Sequence, residues 1–370
     1  MFQALRDRGL LAQHSPGIDT LTGPVRVYAG FDPTAPSLHI GHLSVLAALR
    51  VLQEQGAEII LLIGGFTASI GDPTGRSTSR VQQDAATIAT NAECIRAQLS
   101  RLMPGARIVN NQDWLSQIPF HTFLSHTASR VSVHPLLQRT ALERDGLSLM
   151  ELCYPILQGM DFAHLAAESD VPLVQIGGTD QWGNICSGFD LCRAEDSVFA
   201  ATVPLLTDKQ GRKMGKSIGG AVWLDSERLS PMAFWNVWRD IDDAQVPDIV
   251  QRFGIFLDNE TDINKQKIRI ANAMTLWVHG HQAMEQAARA QAAAQAHTIT
   301  EDTPSHVLRD TNLVDLCVTL KFAPSRKQAR TAIESGAIRI NGAKTDTIDN
   351  VTLPFLLSFG KKTHIAIRAA

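Results

Sequence analysis

Residues 57–65, AEIILLIGG, are an apolar run with no alternation. Such a run marks a strand buried on both faces, which a sheet covered by helices on each side provides. Upstream lies a shorter β-branched stretch, VRVYAGF (25–31). Between the two is a helical pattern that Ser37 can N-cap and that Gly56 stops after Gln55. Strand, helix and strand in so little chain make a parallel, right-handed crossover. VPLVQIGG (171–178) and TVPLL (202–206) read as further strands. The expected fold class is α/β. A doubly wound parallel nucleotide-binding sheet spans residues 1–225, with a helical insertion at about 112–152.

In such sheets ligands bind at the carboxyl ends of the strands, and three motifs fall there. FDPTAPSLHIGHL (31–43) sets His39 and His42 at the opening turn of the first crossover helix, around Gly41. A helix N-terminus offers free N–H groups and the positive end of the dipole, so it favours phosphate and disfavours imidazolium. Neutral imidazoles there can each donate one N–H to an anion or a ribose, and Gly41 lets a flat base approach the backbone. The pair alone also fits histidines packed against loops, or part of a zinc site, for which no third ligand is visible. KMGKS (213–217) places Lys213 and Lys216 in a glycine-flanked segment that can close two ammonium groups onto phosphates. By itself such a pair is usually a solvated surface feature. IGGTDQWGN (176–184) follows a buried strand with Asp180, Gln181 and Asn184, suited to ribose or substrate hydroxyls.

From about Asp225 the strand patterns stop, and residues 226–300 read as an α-helical domain ending in an Ala/Gln-rich helix. TITEDTPSH (298–306) looks like a boundary. Residues 313–370 read as a small α+β module: a helix, a second helix that Ser325 and Gln328 can open as a capping box and Gly336 can end, then a hairpin at Asn341-Gly342. The module holds nine Lys/Arg against four Asp/Glu, net +5, while the other 312 residues hold 25 against 33, net −8. A basic module on an acidic body suits a polyanionic partner. No apolar stretch approaches the ~20 residues that span a bilayer, and the N-terminus has no signal-peptide core. A cytoplasmic protein with no membrane partner is expected. The five cysteines (94, 153, 186, 192, 317) form no C-x-x-C pair, which suggests neither a structural metal nor a disulfide framework.

The motifs also carry a resemblance. YAGFDPTAPSLHIGHL (28–43), IGDPTG (70–75), NNQDW (110–114), YPILQGMDF (154–162), QIGGTDQWGN (175–184) and KMGKS are similar to the signature segments of class I aminoacyl-tRNA synthetases, and within them of bacterial-type tyrosyl-tRNA synthetases. The tail resembles the S4 RNA-binding fold. The likeness covers nearly the whole chain. It departs from the family pattern at Gly215, where serine is usual, at Phe66 and Met160, and in a shorter helical region.

Position by position, the resemblance implies that Tyr28 and Asp161 hold the phenol of L-tyrosine. It implies that Asp72, Tyr154 and Gln158 hold the α-ammonium, with Gln175 close by. Gly30, Asp32, Thr34, His39, Gly41, His42, Gly178, Asp180 and Gln181 would surround ATP or the adenylate, with Asn111 beside the substrate. Thr34, His39, His42, Lys213 and Lys216 would be the catalytic set, the lysines gripping pyrophosphate. In the S4-like domain, Lys321, Arg326, Lys327, Arg330 and Arg339 would contact RNA phosphates.

The activity so implied joins tyrosine to tRNA(Tyr) in two steps through an adenylate, with ATP as substrate and Mg²⁺ accompanying it. The helical region would meet the anticodon arm, and the insertion would form a homodimer contact. A buried carboxylate and phenol at a pocket floor reward a substrate hydroxyl, and phenylalanine would leave both unpaired. The tryptophanyl sister enzymes are disfavoured by Tyr28 with Asp161. A non-catalytic RNA binder, or a ribosome-associated S4 protein, is disfavoured by the retained histidines and lysines.

Overall fold

The computed structural model describes the 370-residue chain except residues 75–81, 140–145, 193–196, 208–210, 212–213, 215, 218–219, 297, 300–302, 310–311, 350, 361–362 and 370. Five parallel strands, β1 (Arg26–Phe31), β2 (Glu58–Ile63), β3 (Arg107–Asn110), β4 (Leu173–Gly178) and β5 (Val198–Val203), form one sheet in the order β3-β2-β1-β4-β5. β2, the apolar run that announced the sheet, is buried at all but its first position. The order reverses between β1 and β4. Their pairing runs from Arg26–Leu173 to Tyr28–Gln175 and stops there, so a crevice opens between their carboxyl ends.

The first crossover helix starts later than Ser37 suggests. His39 is the N-cap of a single 3₁₀ turn, Ile40–His42, which leads into α1 (Leu43–Glu54). The imidazole takes the place of a serine hydroxyl: its Nδ1 accepts the Gly41 N–H at 3.1 Å. The Ser37 hydroxyl is turned to its neighbour's carbonyl, Leu38 O, at 2.7 Å. α2 (Ala85–Leu102) is capped by Asp84, whose carboxylate accepts the Thr87 N–H at 2.8 Å. The insertion is a run of short helical turns from Gln112–Leu115 to Leu149–Leu152, followed by α3 (Tyr154–Ala166).

Arg26 ties β1 to α3. Its guanidinium, 3% exposed, donates to the carbonyls of Leu165 (2.8 Å), Ser169 (2.9 Å) and Val171 (3.1 Å). It places a cation at the negative end of the helix and satisfies carbonyls that have no helical partner. The strand that carries Tyr28 and the helix that carries Asp161 are thereby held in one register.

Residues Met1–Leu229 with Ile241–Gln266 form one compact unit, and Ser230–Asp240 with Lys267–Ala370 a second. The span 226–300 is therefore shared between the two. In the second unit, α4 (Pro231–Arg239) buries Phe234, Trp235 and Trp238, and the Trp235 indole donates to Asn272 Oδ1 at 2.7 Å, on α5 (Ile263–His279). α6 (His281–Gln295) follows.

The sheet of the second unit comprises β6 (Ser305–Val307), β7 (Ile338–Ile340), β8 (Ala343–Lys344), β9 (Phe355–Phe359) and β10 (Thr363–Arg368), in the order β8-β7-β9-β10-β6. β6 pairs parallel to β10, so the stretch read as a boundary ends inside the sheet. α7 (Leu313–Thr319) and α8 (Arg326–Glu334) pack on it around Leu316, Cys317, Ile338 and Leu357. Ser325 caps α8 by accepting the Gln328 N–H at 3.3 Å. Asn341 and Gly342 both have positive φ, 48° and 81°, as a two-residue hairpin turn requires. Among the described residues no helix is long and apolar enough to cross a membrane.

Candidate active site

The crevice widens into a cleft of about 880 Å³. At its floor stand Tyr28 on β1 and Asp161 on α3. Tyr28 is 1% exposed, and its hydroxyl has no hydrogen-bond partner among the described residues. Burial, with the nearby Asp161 charge, pushes this phenol above its ordinary range. Asp161 Oδ2 accepts from Asn111 Nδ2 at 2.9 Å, and Oδ1 from the Trp114 indole N–H at 2.8 Å. Burial pushes the carboxyl up to about 7; the two donors pull against it, and Asp32 adds to it. The amide oxygens of Gln158 and Gln175 also line the cleft, buried and without a partner among the described residues. Buried polar atoms are normally paired, because leaving them unpaired costs free energy. Three such atoms around one cavity are shaped for a ligand with polar groups at those points.

Above the floor, two carboxylates are already engaged. Asp32 accepts the Tyr154 hydroxyl on Oδ2 and the Thr67 hydroxyl on Oδ1, each at 2.8 Å. A Cβ on Gly64 would collide with Asp32 Oδ1. Asp72 accepts Gln181 Nε2 at 2.8 Å, Asn184 Nδ2 at 3.2 Å and the Thr74 N–H at 3.0 Å. Tyr154 is thus bonded to Asp32, while Asp72 belongs to a knot with Gln181 and Asn184.

The two histidines line the same cleft side by side, ring centroids 4.0 Å apart. His39 Nδ1 accepts the Gly41 N–H, and His42 Nδ1 stands 3.1 Å from both the His39 N–H and the His39 carbonyl. With its Nδ1 accepting, a neutral His39 ring carries its proton on Nε2. Burial pushes His42 down to about 3, and the neighbouring His39 adds to the shift. Its imidazole is therefore neutral at pH 7. Gly41 has a packing role: a Cβ there would lie 2.9 Å from the His39 ring and 3.1 Å from the Met214 carbonyl.

Gly30, Thr34, Gly178 and Asp180 line the same cleft. Asn111 is fully buried and acts from behind Asp161. Lys213 lies outside the described residues. The Lys216 backbone belongs to a two-residue ladder, Lys216–Ser217 with Gly220–Ala221. Beyond that ladder, Ile40 N–H donates to Val222 O at 2.8 Å and Leu224 N–H to Leu38 O at 2.9 Å, which lays residues 222–224 alongside His39. Lys321, Arg326, Lys327, Arg330 and Arg339 are exposed in the second unit. Arg326 pairs with Asp315 at 2.7 Å, and Arg339 donates to Gly342 O at 3.2 Å. Sequence reasoning missed Trp114 and Thr67, which orient Asp161 and Asp32. A lone indole and a lone threonine read as packing, although Trp114 stands inside the quoted NNQDW.

The chain matches the family described as tRNA synthetases class I (W and Y) over residues 20–298, and a tyrosine–tRNA ligase SYY-like C-terminal domain over 295–356. It is 37% identical to a tyrosine–tRNA ligase of Macrococcus caseolyticus, over 94% of this chain and 92% of the relative. It is 35% identical to tyrosine–tRNA ligase 1 of Bacillus cereus, over 100% and 99%. Among solved structures, a C-terminally truncated mitochondrial tyrosyl-tRNA synthetase of Coccidioides posadasii superimposes with a TM-score of 0.65 at 29% identity, over 78% of this chain and 90% of that one. A likeness that runs through both halves of the sheet and on into the second unit is inheritance of a whole architecture, not of one motif: the chain belongs to the class I tRNA synthetases of the W and Y family.

Proposed function

We propose that this chain is a tyrosine–tRNA ligase: it activates L-tyrosine with ATP and transfers it to tRNA(Tyr). The observation that carries the reading is the floor pair. A tyrosine phenol can donate to Asp161 and accept from the Tyr28 hydroxyl, whereas phenylalanine would leave both buried groups unpaired. The named activity of the bacterial relatives supports it. Gln158, Gln175 and Asp72 suit the ammonium end of the amino acid. Its α-carboxylate is ionised at neutral pH, so activation needs no general base.

A carboxylate oxygen attacks the α-phosphorus of ATP while the bond to pyrophosphate breaks, giving the tyrosyl-adenylate. Thr34 and the ring N–H groups of His39 and His42 donate to phosphoryl oxygens; Lys213 and Lys216 supply positive charge to the leaving pyrophosphate. A hydroxyl of the terminal tRNA adenosine then attacks the acyl carbon and AMP leaves. Class I synthetases use ATP as substrate. Mg²⁺ would accompany the nucleotide.

Lys321, Arg326, Lys327, Arg330 and Arg339 would contact tRNA phosphates. A homodimer through the insertion is supported by exposure: six of the nine exposed large apolar residues among those described (Phe120, Leu124, Val133, Leu137, Leu149, Met150) fall there. The cytoplasm, where tRNA is charged, is the proposed location. Amino-acid-dependent ATP–pyrophosphate exchange with each of the twenty amino acids tests the reading. Exchange with tyrosine and almost none with phenylalanine or tryptophan is expected. Exchange with none of them would overturn it.

A further inference from the structure

The segment that joins Asp32 to His39 has prolines at 33 and 36, so it lacks two backbone donors, and α2 holds it from one side. Asn91 Nδ2 donates to the Pro33 carbonyl at 3.1 Å. Seven residues on, close to two helical turns and so on the same face, stands Gln98. Its Oε1 accepts the Leu38 N–H at 3.0 Å and faces the Ser37 hydroxyl at 3.3 Å; its Nε2 reaches the Pro36 carbonyl at 3.5 Å. Just before the helix, Gln83 Nε2 donates to the Thr34 carbonyl at 3.2 Å. Asn91 and Gln98 are 5% and 7% exposed. They interrupt the buried face that Ile88, Ile95 and Leu99 make apolar. Amides in such a place cost free energy unless each is paired, and here both are paired with the backbone of this one loop.

We propose that Asn91 and Gln98 are positioning residues for nucleotide activation: through the 33–38 loop they set where the Thr34 hydroxyl and the His39 ring stand. The inference rests on the reading that Thr34 and His39 meet ATP phosphates. The far end of the loop is tied to residues 222–224 through Leu38 O and Ile40 N–H, but residues 33–37 pair with no strand among the described residues, and a displacement of about 1 Å at reacting groups costs on the order of 100-fold in rate. Two amides on a rigid helix supply the missing constraint. The tyrosine floor, built from β1, α3 and Asn111, takes no part in it.

Gln98→Met removes these hydrogen bonds at nearly constant volume; Asn91→Leu is a second, independent variant should the first fail to fold. For each, exchange is measured per active site titrated, together with the affinity of a non-hydrolysable ATP analogue and of tyrosine by calorimetry. We expect the rate per site to fall at least about tenfold and the analogue to bind more weakly by a similar factor, with the tyrosine Kd within about twofold. The inference is overturned by variants that melt earlier yet keep the wild-type rate per site and analogue affinity, or that lose tyrosine and nucleotide affinity together. If the wild type itself shows no tyrosine-dependent exchange, the functional reading falls, and the calorimetry alone decides whether the two amides shape a nucleotide site.

Discussion

The Asn111 side chain donates to Asp161 Oδ2 at 2.9 Å from a position with no solvent exposure. The same amide donates to the Thr67 hydroxyl at 3.1 Å, and its oxygen accepts the Phe66 N–H at 2.8 Å. Asn111 therefore couples the two carboxylates of the cleft, Asp161 directly and Asp32 through Thr67. Asn111→Ala should raise the KM for tyrosine by about tenfold, the scale of one hydrogen bond to a charged group, while the KM for ATP moves less than about twofold. An equal rise in both constants would show that the residue only supports the fold.

Tyrosine affinity should depend on pH through Asp161. Its carboxyl titrates near 7 in the folded protein because burial penalises the charge. Below that pH it is protonated and no longer the strong acceptor the substrate phenol needs. The KM for tyrosine is expected to fall as the pH rises from 6 to 8, with a limiting slope of about one decade per unit on the acid side. Asp161→Asn should flatten the profile and erase most of the preference over phenylalanine. A flat wild-type profile between 6 and 8 would contradict this assignment.

His42 predicts an acid-side loss of stability. Its ring is pushed down to about 3 in the folded state against an ordinary 6.5. The folded protein keeps it neutral while the unfolded chain takes up a proton. The resulting stability is full above pH 6.5 and drains as the pH falls toward 3; the first unit below 6.5 costs about 1 kcal/mol. Urea unfolding at pH 7 and 5.5 should show that difference, and His42→Asn should shrink it.

Phe120 and Leu124 are 74% and 48% exposed within the insertion. The double substitution Phe120→Asp with Leu124→Asp should halve the mass seen by sedimentation if this surface joins two copies. A wild type that already sediments as a monomer would remove the homodimer from the proposal.

Much of this architecture is legible in the chain, for definite reasons. β2 can be read because burial on both faces writes itself as an unbroken apolar run, and the β7–β8 turn because Asn341-Gly342 is among the few pairs that tolerate two left-handed residues. The cap at His39 cannot, because an imidazole doing the work of a serine hydroxyl leaves no compositional trace, and Ser37 stood nearby as a better-known candidate. The bond from Tyr154 to Asp32 joins positions far apart in the chain, and no local pattern encodes it. The division into two units escapes for a similar reason: residues 230–240 and 267–370 belong to one unit although the stretch between them in the chain, 241–266, belongs to the other.

Gly41 reads in the sequence as room for a nucleotide base. The Met214 carbonyl stands 3.1 Å from where its Cβ would be, and Met214 lies between Lys213 and Lys216. Gly41 therefore packs against the backbone of a segment some 170 residues further along the chain. A methyl group at Gly41 would press on the His39 ring and on the Met214 carbonyl together, so its harm would reach both segments. Variation at position 41 and in the 213–217 segment should accordingly be inherited as a pair.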